Sequence, residues 1–441
     1  MSAREGTPED VLDLVGPGDD LIVAMAAGEP AAAIDALERE HERLDGVRIH
    51  QMHAMRRRPH VDGACGDHLR HVSYFLTAAT RPAAHAGTCE VVPVDFSQLP
   101  RLLRERTRCS LLLATASPPD VDGWCTLGTN AEYVAALLDD APLLLEVNDR
   151  MPRVAGGHRV RLAEAAGWYR SDRPLPTVDR RRPDDRDRAI AEAVAERIPD
   201  GATIQVGVGA VPDAVCAALR GHRDLGLHSE LLGDGVLDLI DRGVMTGARK
   251  RLRPGRAVAT FALGSAELYR RLDGRGDVEL ERVDWVNDPR TIARERHVAS
   301  VNATTEVDLH GQCASETVAG RAWSGSGGQA DFAIGAMWAE QGEAFVVLRA
   351  TTRDGRSRIR ATLTPGSVVT TSRNAVDHVV TEWGVASLRG RGGAERAAAL
   401  IAIAAPEHRE GLEREARELG LLARRDAPGR GAGAAADPPP R

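Results

Sequence analysis

Leu225-Gly226-Leu227-His228-Ser229-Glu230 reads as a short apolar strand with a polar tip, and it decides the fold. A helical run follows from Gly235 to Arg242 and stops at Gly243. Upstream lies Ile204-Gln205-Val206-Gly207-Val208-Gly209-Ala210-Val211-Pro212, a second apolar strand that opens into a Gly-x-Gly turn and then a helix from Asp213 to Arg220. Successive strand–turn–helix units predict parallel strands in an open α/β sheet. In such sheets, ligands and chemistry collect beyond the carboxyl ends of the strands. Glu230 is expected at one such end, and the bare backbone of Gly207-Val208-Gly209 at its neighbour. A carboxylate can act as a covalent nucleophile, and free backbone N–H groups can hold a developing oxyanion. The tip alone also fits a solvated loop residue, so its meaning depends on what accompanies it.

The first half of the chain repeats the pattern. Strands are expected at Asp20–Met25, Val47–His50, Cys89–Val94, Ser110–Ala116 and Pro142–Val147, with helices over Pro30–Arg43 and Phe96–Arg106. The continuous apolar run 110–116 is what a strand covered on both faces requires. Ser171–Arg188 is charged, holds three prolines and lacks apolar periodicity, which marks it as a linker. A helix over 189–198 then opens a second α/β unit. The expected organisation is an α/β domain over 1–180, a second over 181–425, and a Gly-, Ala- and Pro-rich disordered tail over 426–441.

The 441 residues exceed one ordinary domain. Hydrophobic residues make up 43% and aromatic residues 3%, so the cores must be built from Ala, Val, Leu and Ile. A net charge of −7 gives no reason to expect a nucleic acid partner. Lys250 is the single lysine. No apolar run is long enough to span a membrane, and the polar start lacks the pattern of a secretory signal. Six scattered cysteines without metal-ligand spacing read as free, mostly buried thiols, with no metal site. Together these features predict a cytoplasmic protein.

A second glycine-rich loop, Gly325-Ser326-Gly327-Gly328-Gln329-Ala330-Asp331-Phe332, offers a nest of N–H groups for an oxyanion or phosphate, or is a plain flexible connector. Gly207-Val208-Gly209 is not a dinucleotide fingerprint, because Pro212 stands where the third glycine belongs. Ser117-Pro118-Pro119-Asp120 with Gly123, Leu127 and Gly128, and Glu146-Val147-Asn148 with Met151-Pro152-Arg153, each close a strand. Asn148 fits either a functional group in a cleft or a local turn cap.

These segments together resemble the acetyl-CoA hydrolase/transferase family, over residues 15 to 420 and most densely from 201 to 400. The match includes Val286-Asn287-Asp288-Pro289, Val301-Asn302, Ser357-Arg358-Ile359 and the segment around Glu382-Trp383-Gly384, and it thins over 50–85. The resemblance implies two doubly wound, largely parallel open-sheet domains with the active site between them. It implies that Glu230 becomes a glutamyl-CoA thioester, that Val208 supplies a main-chain oxyanion donor, and that Gly327 or Gly328 closes on the thioester. Gly207, Gly209, Gly325, Asn302 and Arg358 are the expected substrate- and CoA-binding residues. The implied activity is CoA transfer between a short-chain acyl-CoA and a small carboxylic acid such as 4-hydroxybutyrate. An acyl-CoA hydrolase and a non-catalytic acyl-CoA-binding protein are the alternatives. Coenzyme A is then a cosubstrate, no cofactor is tightly bound, and the assembly is expected to be a homodimer or higher homo-oligomer. Glu382 is read as structural, paired with Arg389. Two departures from the family pattern are Ala405, expected to affect packing, and Trp338, expected to alter the acyl pocket.

Overall fold

The computed structural model describes residues 5–423, so the tail expected over 426–441 lies outside the described residues. The first half forms a seven-stranded sheet. Its strands in chain order are β1 Asp20–Val23, β2 Val47–Gln51, β3 Leu69–Ser73, β4 Cys89–Val91, β5 Leu111–Ala116, β6 Leu143–Asn148 and β7 Gly167–Ser171. They lie in the order β7-β6-β5-β1-β2-β3-β4, and every pairing is parallel. All six residues of β5 and all six of β6 are buried. Both faces of the sheet are covered, so no alternation of polar and apolar positions is needed.

The second half forms the larger sheet from β8 Thr203–Val206, β9 Gly226–Leu232, β10 Ala257–Ala262, β11 Val278–Leu280, β12 Val298–Ala303, β13 Glu343–Val347, β14 His378–Thr381 and β15 Gly384–Ser387. Their order is β15-β14-β13-β12-β8-β9-β10-β11, and the β14–β15 hairpin is the antiparallel pairing among them. The strand beyond β11 comes from the first half: Ala155–Gly156 pairs in parallel with Glu279 and Leu280. One apolar core also runs through both halves, joining Ala114 and Leu145 to Val206 and Leu231. This is a mixed α/β architecture of largely parallel open sheets.

Among the element boundaries that differ from the sequence expectation are three in the second half. The helix after the charged linker starts at Asp185, inside the stretch read as connector, because the Asp184 side chain accepts from the N–H groups of Arg186 and Asp187. The helix after the Gly-x-Gly turn starts at Ala210, with Gly209 as its N-cap and Pro212 in its first turn. Strand β9 does not end at Glu230 but continues to Leu232, because β10 carries on beside it and pairs Leu231 with Phe261 and Leu232 with Ala262.

Candidate active site

Although Glu230 lies inside a strand, it is freed on one side. β8 pairs with β9 at Gly226 and Leu227, then ends at Val206, where the chain turns away through Gly207–Gly209. Beyond that point the β8 side of β9 faces a cavity of about 390 Å3, and Glu230 lines it. Buried Lys250 holds the base of the same strand by donating to the carbonyls of Leu227 at 2.5 Å and Arg256 at 3.0 Å. The lone lysine is therefore a backbone clamp. Burial lowers its pKa to about 8.

His228, two residues before Glu230, positions the carboxylate's partner. Its ring Nε2 donates to the Val286 carbonyl at 2.7 Å, and burial lowers its pKa to about 3, so the ring is neutral. That bond anchors the short helix Val283–Val286, and the next residue, Asn287, donates from Nδ2 to Glu230 Oε2 at 2.9 Å. The main chain of Gly328 stands against the same carboxylate, and its N–H also favours the charged form. Burial outweighs both donors and raises the Glu230 carboxyl to about 7.

The second glycine loop is shaped by this contact. A Cβ on Gly328 would lie 2.2 Å from Glu230 Oε2 and 2.3 Å from Asn287 Nδ2, so any other residue there must push the carboxylate or its amide partner aside. Gly327 has φ +54°, and a Cβ there would stand 3.7 Å from Glu230 Oε1. Of the two candidate glycines, Gly328 is the one whose main chain touches the carboxylate. The loop is pinned from the first half. Gly327 accepts from the Phe96 N–H at 3.0 Å, and Ser326 Oγ donates to the Val94 carbonyl at 2.6 Å. Asp331 accepts from the Ser97 N–H at 3.0 Å and the Ser97 hydroxyl at 2.8 Å. Burial raises Asp331 to about 8.

The structure brings together most of the residues singled out from the sequence. Glu230, Gly207, Val208, Asn302, Gly325, Gly327 and Gly328 all line the one cavity. Asn302 and Gln205 exchange two amide hydrogen bonds, at 3.0 and 3.1 Å, across the cavity floor. Gly209 stands behind the wall, with φ +131° as the helix cap. Arg358 is elsewhere: its backbone bonds Ala350 and Val307 beside the small sheet of Glu306–Asp308, Cys313–Ala314 and Ile359–Arg360. Proximity in a motif could not show that this arginine lies beside a different sheet, outside the Glu230 cavity.

Three further expectations change. Trp338 is 57% exposed at the end of its helix and does not line the cavity, so it does not shape an acyl pocket there. Glu382 accepts from the Ala350 N–H at 2.8 Å and pairs with Arg186 at 3.8 Å, while Arg389 pairs with Asp377. Asn148 caps its turn by accepting from the Arg150 N–H and donating to the Arg173 carbonyl. The sequence reading quoted Asn287 without giving it a role. It also missed the wall supplied by the first half, Met25, Met52, His53, Phe75 and Phe96. No motif links those scattered residues to Glu230, so only proximity reveals them. All six cysteines are buried and free, and no metal-ligating cluster occurs among the described residues. No helix there is long and apolar enough to cross a membrane.

Residues 4–169 match the N-terminal domain of the acetyl-CoA hydrolase/transferase family and residues 264–416 match its C-terminal domain. The chain belongs to the acetyl-CoA hydrolase/transferase family. It is 37% identical to the 4-hydroxybutyrate coenzyme A transferase of Clostridium kluyveri, over 93% of this chain and 96% of that one. It is 36% identical to the succinyl-CoA:cyclohexane-1-carboxylate CoA transferase of Geobacter metallireducens, over 94% and 95%. The crystal structure of RipA from Yersinia pestis superposes with a TM-score of 0.90 at 33% identity, covering 95% of this chain and 98% of that one. A 4-hydroxybutyrate CoA-transferase from Porphyromonas gingivalis gives 0.79 at 31% identity, over 94% and 98%. This family member is an enzyme of the CoA-transferase type.

Proposed function

We propose that this CoA-transferase moves CoA between a short-chain acyl-CoA of the acetyl-CoA kind and a small carboxylic acid such as 4-hydroxybutyrate, with Glu230 as the covalent nucleophile. The observation that carries the reading is a carboxylate lining a cavity, held by the Asn287 amide with the Gly328 main chain against it. The Glu230 carboxylate attacks the thioester carbonyl and expels CoA thiolate, leaving an acyl-glutamyl anhydride. The thiolate then attacks the glutamyl carbonyl, which releases the first acid as its carboxylate and forms a glutamyl-CoA thioester. A second carboxylate reverses the sequence. In each step the oxyanion needs a main-chain donor, a role given to Val208, while Gly328 orients the glutamate. Exclusion of water protects the thioester until an acid arrives.

CoA is the cosubstrate in this scheme, and no tightly bound cofactor takes part. The division at residue 180 gives the nucleophile and glycine loops to the second domain and the apolar wall to the first. The working form is a cytoplasmic homodimer or higher homo-oligomer, which sedimentation would test. Incubation with acetyl-CoA and no acceptor should leave an adduct at Glu230 with the mass of CoA less water. Acetate should discharge it, and initial-rate plots should be parallel. CoA release at the full turnover rate without acceptor would overturn transfer in favour of hydrolysis. Absence of both adduct and turnover would favour a binding protein.

A further inference from the structure

The cavity around Glu230 has few polar side chains, and nearly all are already engaged. Glu230 itself is held by Asn287 and Gly328. Gln205 and Asn302 satisfy each other's facing groups. Ser315 donates to Thr304, Ser324 to the Ser315 carbonyl, and Ser326 to the Val94 carbonyl. The Gln329 amide donates to Thr371 at 3.0 Å.

His53 is the exception. It lines the same cavity, on the wall supplied by the first half, where its neighbours Met25, Met52, Phe75 and Phe96 are apolar. Its ring packs against Phe75 with centroids 5.4 Å apart, and among the described residues it has no hydrogen-bond partner. Its backbone is fixed, because its carbonyl accepts from the Ala26 N–H at 3.0 Å. Burial lowers the ring's pKa to about 4, so it is a neutral imidazole with one N–H donor and one lone-pair acceptor. Half-buried and facing the cavity, such a group leaves a donor and an acceptor free for a bound molecule.

We infer that His53 is a specificity-determining residue that hydrogen-bonds an oxygen carried by the acyl chain, so that this site selects short-chain acids bearing a hydroxyl group over their unsubstituted counterparts. The inference rests on the reading of the Glu230 cavity as the place where the acyl group is transferred. A hydroxyl both donates and accepts, so it complements either face of a neutral imidazole, whereas a bare alkyl chain leaves the ring unpaired. A site built to bond a substrate hydroxyl discriminates against the analogue that lacks it far more strongly than an apolar pocket discriminates by size.

The test compares kcat/KM for 4-hydroxybutyryl-CoA and butyryl-CoA, with acetate as acceptor, in the wild type, H53L and H53Q. The wild type should favour the hydroxylated substrate by at least tenfold. H53L should lower that ratio by at least tenfold, and H53Q, which retains a donor and an acceptor, should restore part of it. A merely structural role would lower both substrates together and leave the ratio unchanged, which would overturn the inference. A wild-type ratio near one would also overturn it. If H53L does not fold, the H53Q ratio against the wild type decides, and equality of both at a value near one counts against His53. The glutamyl-CoA adduct is measured in the wild type with butyryl-CoA alongside. An adduct together with an unmoved ratio sinks only the role of His53, whereas no adduct at Glu230 sinks the underlying reading.

Discussion

Two glycine loops face the same cavity, and they look alike in sequence. Gly207-Val208-Gly209 lies open, and a Cβ on Gly207 would meet nothing within 4 Å. Gly325-Ser326-Gly327-Gly328 is crowded, tied to the first half through Phe96, and closed onto the carboxylate at Gly328. The first loop keeps its glycine for a helix cap, where Gly209 takes φ +131°. The second keeps Gly328 because the Glu230 carboxylate and the Asn287 amide fill the space a side chain would need. Glycine in a site thus has two separable causes, backbone angle and close approach.

The largest effect should come from the group the second loop closes on. E230A should lower transfer at least on the order of a thousandfold, as nucleophile knockouts do, and steady-state kinetics with a chromatographic CoA assay would check it. The isosteric E230Q should lose activity yet gain stability at pH 8. Glu230 titrates at about 7 in the fold against an ordinary 4.5, so its contribution to stability is full below pH 4.5 and is lost as pH rises through 7. Removing the charge should recover on the order of 1–3 kcal/mol, read as a higher Tm for E230Q than for wild type at pH 8 but not at pH 4.

G328A should follow, with a loss of about a hundredfold, since its methyl group must displace Glu230 or Asn287 and remove a donor. G327A sharpens the contrast, because its cost is a left-handed φ of +54°, about 1 kcal/mol of stability, with a smaller change in turnover. Denaturant midpoints and rates for the pair should therefore rank oppositely, and equal losses of activity would erase the distinction between the two glycines.

The pH dependence comes next. If Glu230 is the nucleophile, as proposed, its ionised form reacts, so adduct formation under single turnover should fall about tenfold per unit below pH 7 and level off above it. A rate that is flat from pH 5 to 8 would mean that the second loop does not hold a raised carboxyl. The smallest effect is expected in the first loop. G207A should change kcat/KM by less than about threefold, because no atom lies near the added methyl and no special angle is required. A hundredfold loss there would make the two loops equivalent.

The sequence by itself determined the class of architecture. Buried runs such as Leu111–Ala116 and Leu143–Asn148 read as parallel strands covered on both faces, and the strand–turn–helix units around 204–242 read as a largely parallel α/β sheet. It also pointed to Glu230 and both glycine loops, because a carboxylate and bare backbone at neighbouring strand ends are legible as local patterns. Tertiary structure alone decided the rest. It set Gly328 rather than Gly327 hard against the carboxylate, made Asn287 the carboxylate's partner through the His228–Val286 anchor, and put Arg358 outside the Glu230 cavity, beside a small separate sheet. It also brought Met25, Met52, His53, Phe75 and Phe96 into the cavity that Glu230 lines. The reason is physical. Periodicity and turn chemistry act over a few residues, whereas a carboxyl's pKa, a glycine's crowding and the wall of a cavity depend on atoms that only the packing of two sheets makes neighbours.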